Sequence, residues 1–252
     1  MSDPFDYRRY ERNVLIPAIG EAGQRALLSA RVLVVGLGGL GSPAALYLAA
    51  AGVGTLGLMD SDAVELSNLQ RQILHTTDRI GTSKAESAAA TLRALNPGLH
   101  LKLYEERLDA SNARDIVAGF DAVVEACDNF EAKFLINDTC LALKRPFATA
   151  GILALSGQAQ FVVPGQTACL RCLVPEIPQA VPTTAELGVL GAVPGILGAL
   201  EAFEVIRYCA GIWAPEVDCR GRLHSVDGEA MRLKTLMVRP RPTCRCGTAA
   251  TD

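Results

Sequence analysis

The sequence predicts an α/β fold: a Rossmann-like, mostly parallel sheet flanked by helices and extended by antiparallel strands. Three observations lead to this class. A short apolar strand, a glycine-rich turn, a helix and a second strand occupy residues 31–60. Helices and strands then continue to alternate to about residue 143, and paired strands without intervening helices follow. Alternating helices and strands indicate a parallel sheet, and adjacent strands indicate its antiparallel extension.

We expect a single domain over 1–252, made of an N-terminal helical arm (1–29), a nucleotide-binding core (30–152) and a mixed-sheet half (153–252). Apolar residues at near-helical spacing predict helix over 5–29 with a break at Pro17. With 252 residues, 50% of them hydrophobic, the chain can form one large core.

The stretch 31–60 has the features of a nucleotide-binding βαβ unit. Its first strand (31–35) enters a glycine-rich turn, a helix is predicted over 42–52, and the second strand ends at Asp60. Glycines let backbone N–H groups approach a phosphate at a helix N-terminus, and an acidic residue at this distance can bind ribose hydroxyls. Dehydrogenases and many other nucleotide-binding proteins share these features.

The alternation continues after this unit. Helices are predicted over 84–95, 112–118 and 131–143, and strands over 100–104 and 121–126. Asn96, Pro97 and Gly98 end the first of these helices. The strand 121–126 leads into a loop that carries Asp128. Because ligands bind outside the carboxyl ends of parallel strands, we expect Asp128 at the same sheet edge as Gly38 and Asp60.

The second half is predicted to contain strands over 147–152, 157–163, 223–226 and 231–238. Its most apolar stretch, 187–206, contains Pro194, Glu201 and Glu204, so we interpret it as a buried helix and not as a membrane span. A net charge of -3 gives no electrostatic reason to expect nucleic acid or anionic membrane as a partner. The N-terminus lacks an apolar signal core, and we expect a cytoplasmic protein.

Three side chains predict the chemistry of the site. Arg71 and Lys84 can neutralise the charge of a triphosphate, and Asp128 can hold Mg²⁺ through carboxylate oxygen. No Walker lysine-serine signature follows the glycines, so a P-loop kinase is not expected. The set favours phosphoryl or nucleotidyl transfer. An NAD-dependent oxidoreductase is the alternative, supported only by the glycine turn and Asp60.

Five motifs resemble the ThiF/MoeB/HesA family, the bacterial relatives of ubiquitin-activating enzymes, and the pattern is closest to MoeB. The similarity extends in order from about residue 7 to Gly247. The motifs are Arg9-Tyr-Glu-Arg12, Val35-Gly-Leu-Gly-Gly-Leu-Gly41, Leu66-Ser-Asn-Leu-Gln-Arg-Gln72, Gly81-Thr-Ser-Lys84 and Cys127-Asp-Asn129.

The resemblance implies a role for individual residues. Asp60 would bind ribose, and Arg71 and Lys84 would hold the phosphates of ATP. Asp128 would position Mg²⁺, with Asn129 alongside. The other residues expected to line the ATP site are Gly38, Gly39, Ser67, Asn68, Leu69 and Gln70. Arg12 matches an arginine that reaches across a homodimer into the ATP site of the partner subunit, so Arg12, Arg71, Lys84 and Asp128 are the expected catalytic residues.

The implied reaction is attack on the α-phosphate of ATP by the C-terminal carboxylate of a small ubiquitin-like sulfur-carrier protein ending in Gly-Gly. The products are the acyl-adenylate of the carrier and pyrophosphate. Molybdopterin, thiamine and thiolated tRNA are among the pathways that such a carrier could feed. Adenylation of a peptide or a tRNA base is an alternative. A non-catalytic scaffold is another, against which the four expected catalytic residues argue.

The eight cysteines fit a metal site better than a disulfide framework in a cytoplasmic chain. In the family, two Cys-x-x-Cys pairs make a structural zinc site. Cys169 and Cys172 match the first pair, whereas Cys244 and Cys246 are one residue closer together than the second. Four thiolates suit a closed tetrahedral site, and we predict structural Zn²⁺. Cys127, Cys140, Cys209 and Cys219 are interpreted as buried fillers or idle thiols.

Family members that form a thioester or persulfide carry a cysteine in the loop before the long apolar helix. Alignment places Thr184 there, with Thr183 beside it. A hydroxyl of ordinary pKa is a poor substitute for a thiolate in acyl or sulfur transfer. We therefore predict that the enzyme stops at adenylation and that a separate protein donates sulfur.

Overall fold

The computed structural model describes residues 7–180, 182–214, 221–244 and 246, and of Tyr7 only the backbone. Within this part of the chain there are eight strands and nine helices. The strands are β1 (Arg31–Val35), β2 (Thr55–Met59), β3 (His100–Tyr104), β4 (Ala122–Glu125), β5 (Phe147–Leu153), β6 (Ser156–Val162), β7 (Arg222–Asp227) and β8 (Arg232–Met237). The helices are α1 (Tyr7–Val14), α2 (Gly20–Ser29), α3 (Gly41–Ala51), α4 (Lys84–Leu95), α5 (Ala113–Ala118), α6 (Phe130–Ala142), α7 (Leu170–Leu173), α8 (Thr184–Leu187) and α9 (Ala192–Cys209).

All eight strands form one sheet in the order β3-β2-β1-β4-β5-β6-β7-β8. Strands β1 to β5 are parallel, and β6, β7 and β8 are antiparallel to their neighbours. This arrangement confirms the predicted fold class. In the register, Val35 pairs with Met59 and with Glu125, and Glu125 pairs with Thr149. The carboxyl ends of β1, β2 and β4 therefore lie at one level of the sheet edge.

Both faces of the sheet are covered. One core cluster joins the sheet to α2, α3, α4 and α9, with Leu27, Leu48, Leu92 and Leu197 all fully buried. The second cluster joins the opposite face to α5 and α6 and includes the fully buried Ile136. Burial on both faces explains why residues 32–35 of β1 and 122–124 of β4 are continuous apolar runs and do not alternate with polar residues.

The glycine turn is fixed by close backbone contacts. Gly36 has a φ of +91°, and a Cβ there would lie 2.6 Å from the carbonyl oxygen of Ala126. A Cβ on Gly41 would lie 1.9 Å from the carbonyl oxygen of Gly36. A larger residue at Gly36 would push the turn away from the end of β4, and one at Gly41 would distort the turn itself. The turn and the loop after β4 are therefore held against each other.

The apolar helix begins later than the sequence predicts. The stretch predicted over 187–206 splits, because α8 ends at Leu187 and α9 starts at Ala192. Gly188 between them has a φ of +74°, which does not continue a helix. Pro194 lies in the first turn of α9, where the backbone N–H groups have no partner within the helix and proline is tolerated.

The N-terminal arm forms two helices with a break that includes Pro17, as predicted. Cys219 lies outside the described residues. Over the described ranges, every helix is too short or too polar to cross a lipid bilayer.

Candidate functional site

A cleft of about 1200 Å³ opens at the carboxyl ends of the parallel strands. It is bordered by the glycine turn after β1, the end of β2, and the loop after β4. Seven of the expected ATP-site residues line it: Gly38, Gly39, Asp60, Arg71, Lys84, Asp128 and Asn129. These residues are far apart in sequence, so the convergence comes from the sheet topology.

The glycine turn presents backbone donors to the cleft. Leu37, within the turn, donates its N–H to Oδ2 of Asp60 at 2.8 Å. The N–H groups of Gly38 and Gly39 take part in none of the backbone hydrogen bonds among the described residues. They lie at the N-terminal end of α3, where the helix dipole favours an anion. The turn can therefore bind phosphate without rearranging the hydrogen bonds around it.

Lys84 brings a buried cation to the same cleft. It begins α4, is only 6% exposed, and its Nζ lies 3.0 Å from Oδ2 of Asp62 and 4.0 Å from Oδ1 of Asp60. Oδ1 of Asp60 also accepts the N–H of Asp62 at 2.9 Å. The two carboxylates hold the ammonium group beside the position expected for the ribose and phosphates.

Arg71 lies between the glycine turn and the start of α9. Its Nη1 donates to the carbonyl oxygen of Ser67 at 3.0 Å. A Cβ on Gly39 would lie 3.5 Å from Cγ of Arg71, and a Cβ on Gly191 would lie 3.1 Å from its Cα. The close packing of both glycines leaves the arginine stem little room to move, and the guanidinium borders the cleft.

Four expected ATP-site residues, Ser67, Asn68, Leu69 and Gln70, are not among the residues that line this cleft. Asn68 is buried and orients the short 3₁₀ turn Leu66–Asn68, because its Oδ1 accepts the N–H of Glu65 at 3.3 Å. Gln72 does line the cleft, with a buried Oε1 that has no hydrogen-bond partner among the described residues. Gln72 lies four residues after Asn68 in the same motif, and this position could have identified it as a site residue from the sequence.

The loop after β4 carries Asp128 and Asn129 into the cleft. Asn129 caps α6, because its Oδ1 accepts the N–H of Ala132 at 2.9 Å. Asp128 is exposed, and no hydrogen bond or ion pair engages its carboxylate in the described part of the chain. Hard carboxylate oxygen in this position suits Mg²⁺.

A buried charged network, which sequence reasoning did not find, supports this loop. Glu125 is fully buried at the end of β4 and accepts from Nζ of Lys133 at 2.8 Å, from the Thr149 hydroxyl at 2.5 Å and from the N–H of Cys127 at 2.8 Å. Burial opposes the charge on Lys133, yet the adjacent Glu125 carboxylate offsets this effect and raises the pKa of Lys133. The network ties the residue before Asp128 to β4, β5 and α6.

The thiol beside this loop is not suited to nucleophilic attack. Burial and the neighbouring Glu125 raise the pKa of Cys127 well above its usual value, so the group is a neutral thiol at pH 7. Thr184, which the sequence predicts to occupy the position of the family's reactive cysteine, lines the cleft. Thr183 is occupied in capping α8, where its backbone N–H and hydroxyl both contact Glu186.

The cleft continues beyond the residues expected to bind nucleotide. It extends along β5 and β6, past Gly151 and Gln158, to Ser225 and Asp227 of β7. Its volume exceeds the roughly 300–1,000 Å³ of a typical small-molecule pocket. It therefore has room for a nucleotide together with an extended acceptor segment.

The four paired cysteines come together despite the shortened second pair. The Sγ atoms of Cys169, Cys172, Cys244 and Cys246 all lie within 4.8 Å of one another. The cluster packs in the core on the α6 face of the sheet. A compact set of four sulfur donors with no other ligand type fits a closed structural Zn²⁺ site.

Arg12 is the expected catalytic residue that the fold does not bring to the cleft of its own chain. It is exposed on α1. Tyr10, two residues earlier in this helix, contacts the far ends of α3 and α4, because its hydroxyl accepts from Asn96 at 2.9 Å and its ring packs on Gly52. Both of those helices begin at the cleft and end here.

The sequence matches a known family model and several known proteins. The ThiF family model matches residues 10–247. The chain is 45% identical over 247 residues to a SAMP-activating enzyme E1 of Haloferax volcanii, covering 97% of this chain and 90% of that protein. It is 44% identical to the mouse (Mus musculus) adenylyltransferase and sulfurtransferase MOCS3, covering 97% of this chain but 57% of that protein. The chain thus spans little more than half the length of that relative.

Solved structures share the fold. A crystal structure of E. coli MccB with MccA-N7isoASN superposes with a TM-score of 0.84 at 22% identity, covering 97% of this chain and 75% of that one. A crystal structure of E. coli MccB with ATP gives a TM-score of 0.82 at 23% identity, covering 95% of this chain and 73% of that one. At this identity the likeness concerns the fold alone.

Proposed function

The chain belongs to the ThiF family, and from this premise we propose that it adenylates the C-terminal carboxylate of a small ubiquitin-like sulfur-carrier protein ending in Gly-Gly. One observation carries the proposal: backbone donors of Gly38 and Gly39, the cations Arg71 and Lys84, and the carboxylate of Asp128 all border one cleft. The carboxylate oxygen of the carrier would bond to the α-phosphorus of ATP as the bond to pyrophosphate breaks.

This reaction needs positioning and charge stabilisation and no side-chain nucleophile. Gly38, Gly39, Arg71 and Lys84 would hold the phosphates, and Asp60 would accept from the ribose hydroxyls. Mg²⁺ held at Asp128 would offset the negative charge that shifts onto pyrophosphate. Nucleotidyl transfer therefore accounts for the cationic side chains around the glycine turn. A hydride-transfer enzyme would also possess such a turn, but it would not need these cations.

The relatives support protein activation over the other adenylation targets. The archaeal relative, 45% identical over nearly the whole chain, is named for activating SAMP. The portion of the cleft along β5 and β6 would receive the extended C-terminus of the acceptor. We propose the whole of 1–252 as one adenylation domain, which the continuous eight-stranded sheet of the described residues supports.

The sulfur would come from a separate donor protein. Thr184 offers no thiolate at the usual cysteine position, and the neutral Cys127 thiol is not a substitute. Wild-type protein incubated with carrier and ATP should form no covalent adduct that survives denaturation and is lost on adding thiol. An adduct with these properties would contradict the two-protein scheme.

A homodimer would complete the site. Arg12 is exposed on the side of the chain away from its own cleft, and a second subunit is needed to place it near phosphates. The four-cysteine cluster would hold structural Zn²⁺. Thiolates that must remain reduced fit the cytoplasm, where we place the enzyme.

ATP–pyrophosphate exchange tests the proposal against its alternatives. We expect exchange with a carrier ending in Gly-Gly, and no exchange with the same carrier lacking these two residues. Exchange driven by a free peptide or a tRNA, with none driven by the carrier, would mean that the peptide or the tRNA is the acceptor. NAD binding without ATP binding would favour the oxidoreductase.

A further inference from the structure

His75 is a buried side chain that connects the glycine turn to α4. It is 5% exposed, and its Nε2 lies 3.0 Å from the carbonyl oxygen of Leu37. Its Nδ1 lies 3.0 Å from the hydroxyl oxygen of Ser87. A carbonyl oxygen only accepts, so Nε2 carries the proton and Nδ1 accepts from the Ser87 hydroxyl.

The peptide groups of Leu37 are thereby held on both sides. Its N–H donates to Asp60 and its carbonyl oxygen accepts from His75. Leu37 directly precedes Gly38, and the carbonyl carbon of Leu37 belongs to the peptide plane that contains the Gly38 N–H. Fixing the Leu37 carbonyl therefore fixes the direction in which the Gly38 N–H points.

The other end of the imidazole fixes α4. Ser87 is three residues after Lys84, one helical turn along α4 and on the same side of it. Arg79 braces the same turn, because its Nη1 donates to the carbonyl oxygen of Ser87 at 2.8 Å. His75 thus spans the two elements that carry the phosphate-binding groups, although it does not itself line the cleft.

We propose that His75 is a positioning residue, which sets the distance and orientation between the Gly38 N–H and the Lys84 ammonium group. This role rests on the proposed function, because those groups matter together only if they hold the phosphates of one nucleotide. His75 touches neither nucleotide nor acceptor. Its contribution reaches the reaction through Leu37 and Ser87.

The role depends on a neutral ring. Burial lowers the pKa of His75, and the facing charges are Lys84 of α4, Asp60 after β2 and Arg79 before α4. A protonated ring would place a third cation beside Lys84 and Arg79, and its Nδ1 would no longer accept from Ser87. Activity should therefore fall as pH drops below the ordinary histidine value, through the lowered pKa of His75.

Two substitutions separate the hydrogen bonds of the ring. In His75→Gln the side-chain amide reaches the Nε2 position and can still donate to Leu37, whereas in His75→Asn it reaches only the Nδ1 position, near Ser87. His100→Gln is the matched control, because His100 is exposed at the amino end of β3, away from the cleft.

The first measurement is hydrogen exchange without nucleotide. The amides of Leu37 and Ser42, which are hydrogen-bonded on either side of Gly38, should exchange about 5- to 10-fold faster in His75→Asn than in wild type, as expected for one lost hydrogen bond. His75→Gln and His100→Gln should stay near wild type. Equal exchange in wild type and His75→Asn, with both folded, would overturn the proposal whether or not the protein uses ATP. If His75→Asn does not fold, His75→Leu replaces it, because leucine also loses the bond to Leu37, and unchanged exchange of these amides there would equally overturn the proposal.

The second measurement is steady-state ATP–pyrophosphate exchange. His75→Asn should raise KM for ATP and lower kcat, each by about 5- to 10-fold, and His75→Gln should recover most of both. In His75→Gln the acidic limb of the pH profile should also disappear. An acidic limb that persists unchanged in His75→Gln would contradict the role of the ring. No exchange by wild type, together with altered amide protection in His75→Asn, would instead overturn the proposed function and leave the structural link intact.

Discussion

The ammonium group of Lys84 lies 3.0 Å from the carboxylate of Asp62. Lys84 is almost completely buried, and Asp62 is largely exposed at the mouth of the cleft. The carboxylate compensates the buried cation, so the lysine side chain does not need to turn outward. The cation therefore points into the cleft before any ligand arrives.

Replacing Lys84 tests whether this cation serves ATP. Lys84→Met keeps much of the aliphatic stem but removes the charge, and it should lower kcat of ATP–pyrophosphate exchange by about 10²–10³, the usual effect of losing one group that stabilises developing charge. Lys102→Met, at an exposed position on β3, is the matched control and should exchange at the wild-type rate. Equal rates for the two variants would remove Lys84 from the site.

Complementation between subunits tests Arg12. Arg12→Ala and Asp128→Asn homodimers should each lack exchange activity, because every site would miss one essential group. Mixed dimers contain one site with both groups intact, so mixing the subunits should restore part of the activity. Asp115→Asn, an exposed residue of α5, should remain active and serves as the control. No recovery in a mixture shown to exchange subunits would place Arg12 outside the site.

The four-cysteine cluster predicts a metal that stabilises the fold. Purified wild-type protein should contain one Zn²⁺ per chain by elemental analysis, and removing the metal should lower Tm, because binding energy at a structural site is folding energy. Cys244→Ser should lose the metal. Cys209→Ala should retain it, since Cys209 lies on α9, outside the cluster. Full metal content in Cys244→Ser would show that the shortened pair is not a ligand.

The buried carboxyl of Glu201 predicts that the free energy of unfolding falls as pH rises above 4.5. It is 1% exposed on α9, and neither carboxylate oxygen has a hydrogen-bond partner among the described residues. Burial, together with the negative charge of Glu125, raises the pKa of Glu201 well above 4.5, although Lys133 partly opposes this. The folded state therefore binds more protons than the unfolded state above pH 4.5, and stability falls as pH rises through this window, by up to about 1.4 kcal/mol per pH unit.

Glu201→Gln removes that titration and should flatten the pH dependence. In urea unfolding, the free energy of unfolding of Glu201→Gln minus that of wild type should be larger at pH 8 than at pH 5.5. Glu229→Gln, at an exposed position, should follow wild type at both values. The same difference between Glu201→Gln and wild type at both pH values would mean that Glu201 is not protonated in the folded state.

Much of this architecture can be predicted from sequence, because local patterns determine it. The strand before Gly36, the turn itself and the strand that ends at Asp60 have distinctive composition, and strand ends of a parallel sheet must share an edge. Gly38, Asp60 and Asp128 could be assigned to one sheet edge for that reason, whereas Arg71 and Lys84 were assigned by their charge and by the family motifs. The cysteine pairs were likewise visible as a local spacing.

Contacts between distant residues could not be predicted in this way. The His75–Leu37 and Glu125–Lys133 hydrogen bonds depend on how helices pack on the sheet, and no local pattern reports that packing. Composition also placed the start of the apolar helix too early in the sequence, because it does not reveal that the chain turns at Gly188. Asn68 begins the most specific motif of the sequence. Its side chain nevertheless orients a turn beside the cleft and does not line the cleft.

Intact mass spectrometry of the acceptor tests the central claim most directly. A carrier ending in Gly-Gly, incubated with wild-type protein, ATP and Mg²⁺, should gain the mass of one AMP at its C-terminus while pyrophosphate is released. Asp128→Asn should leave the carrier unmodified. A carrier that stays unmodified with wild-type protein, or one that gains phosphate without AMP, would contradict adenylation.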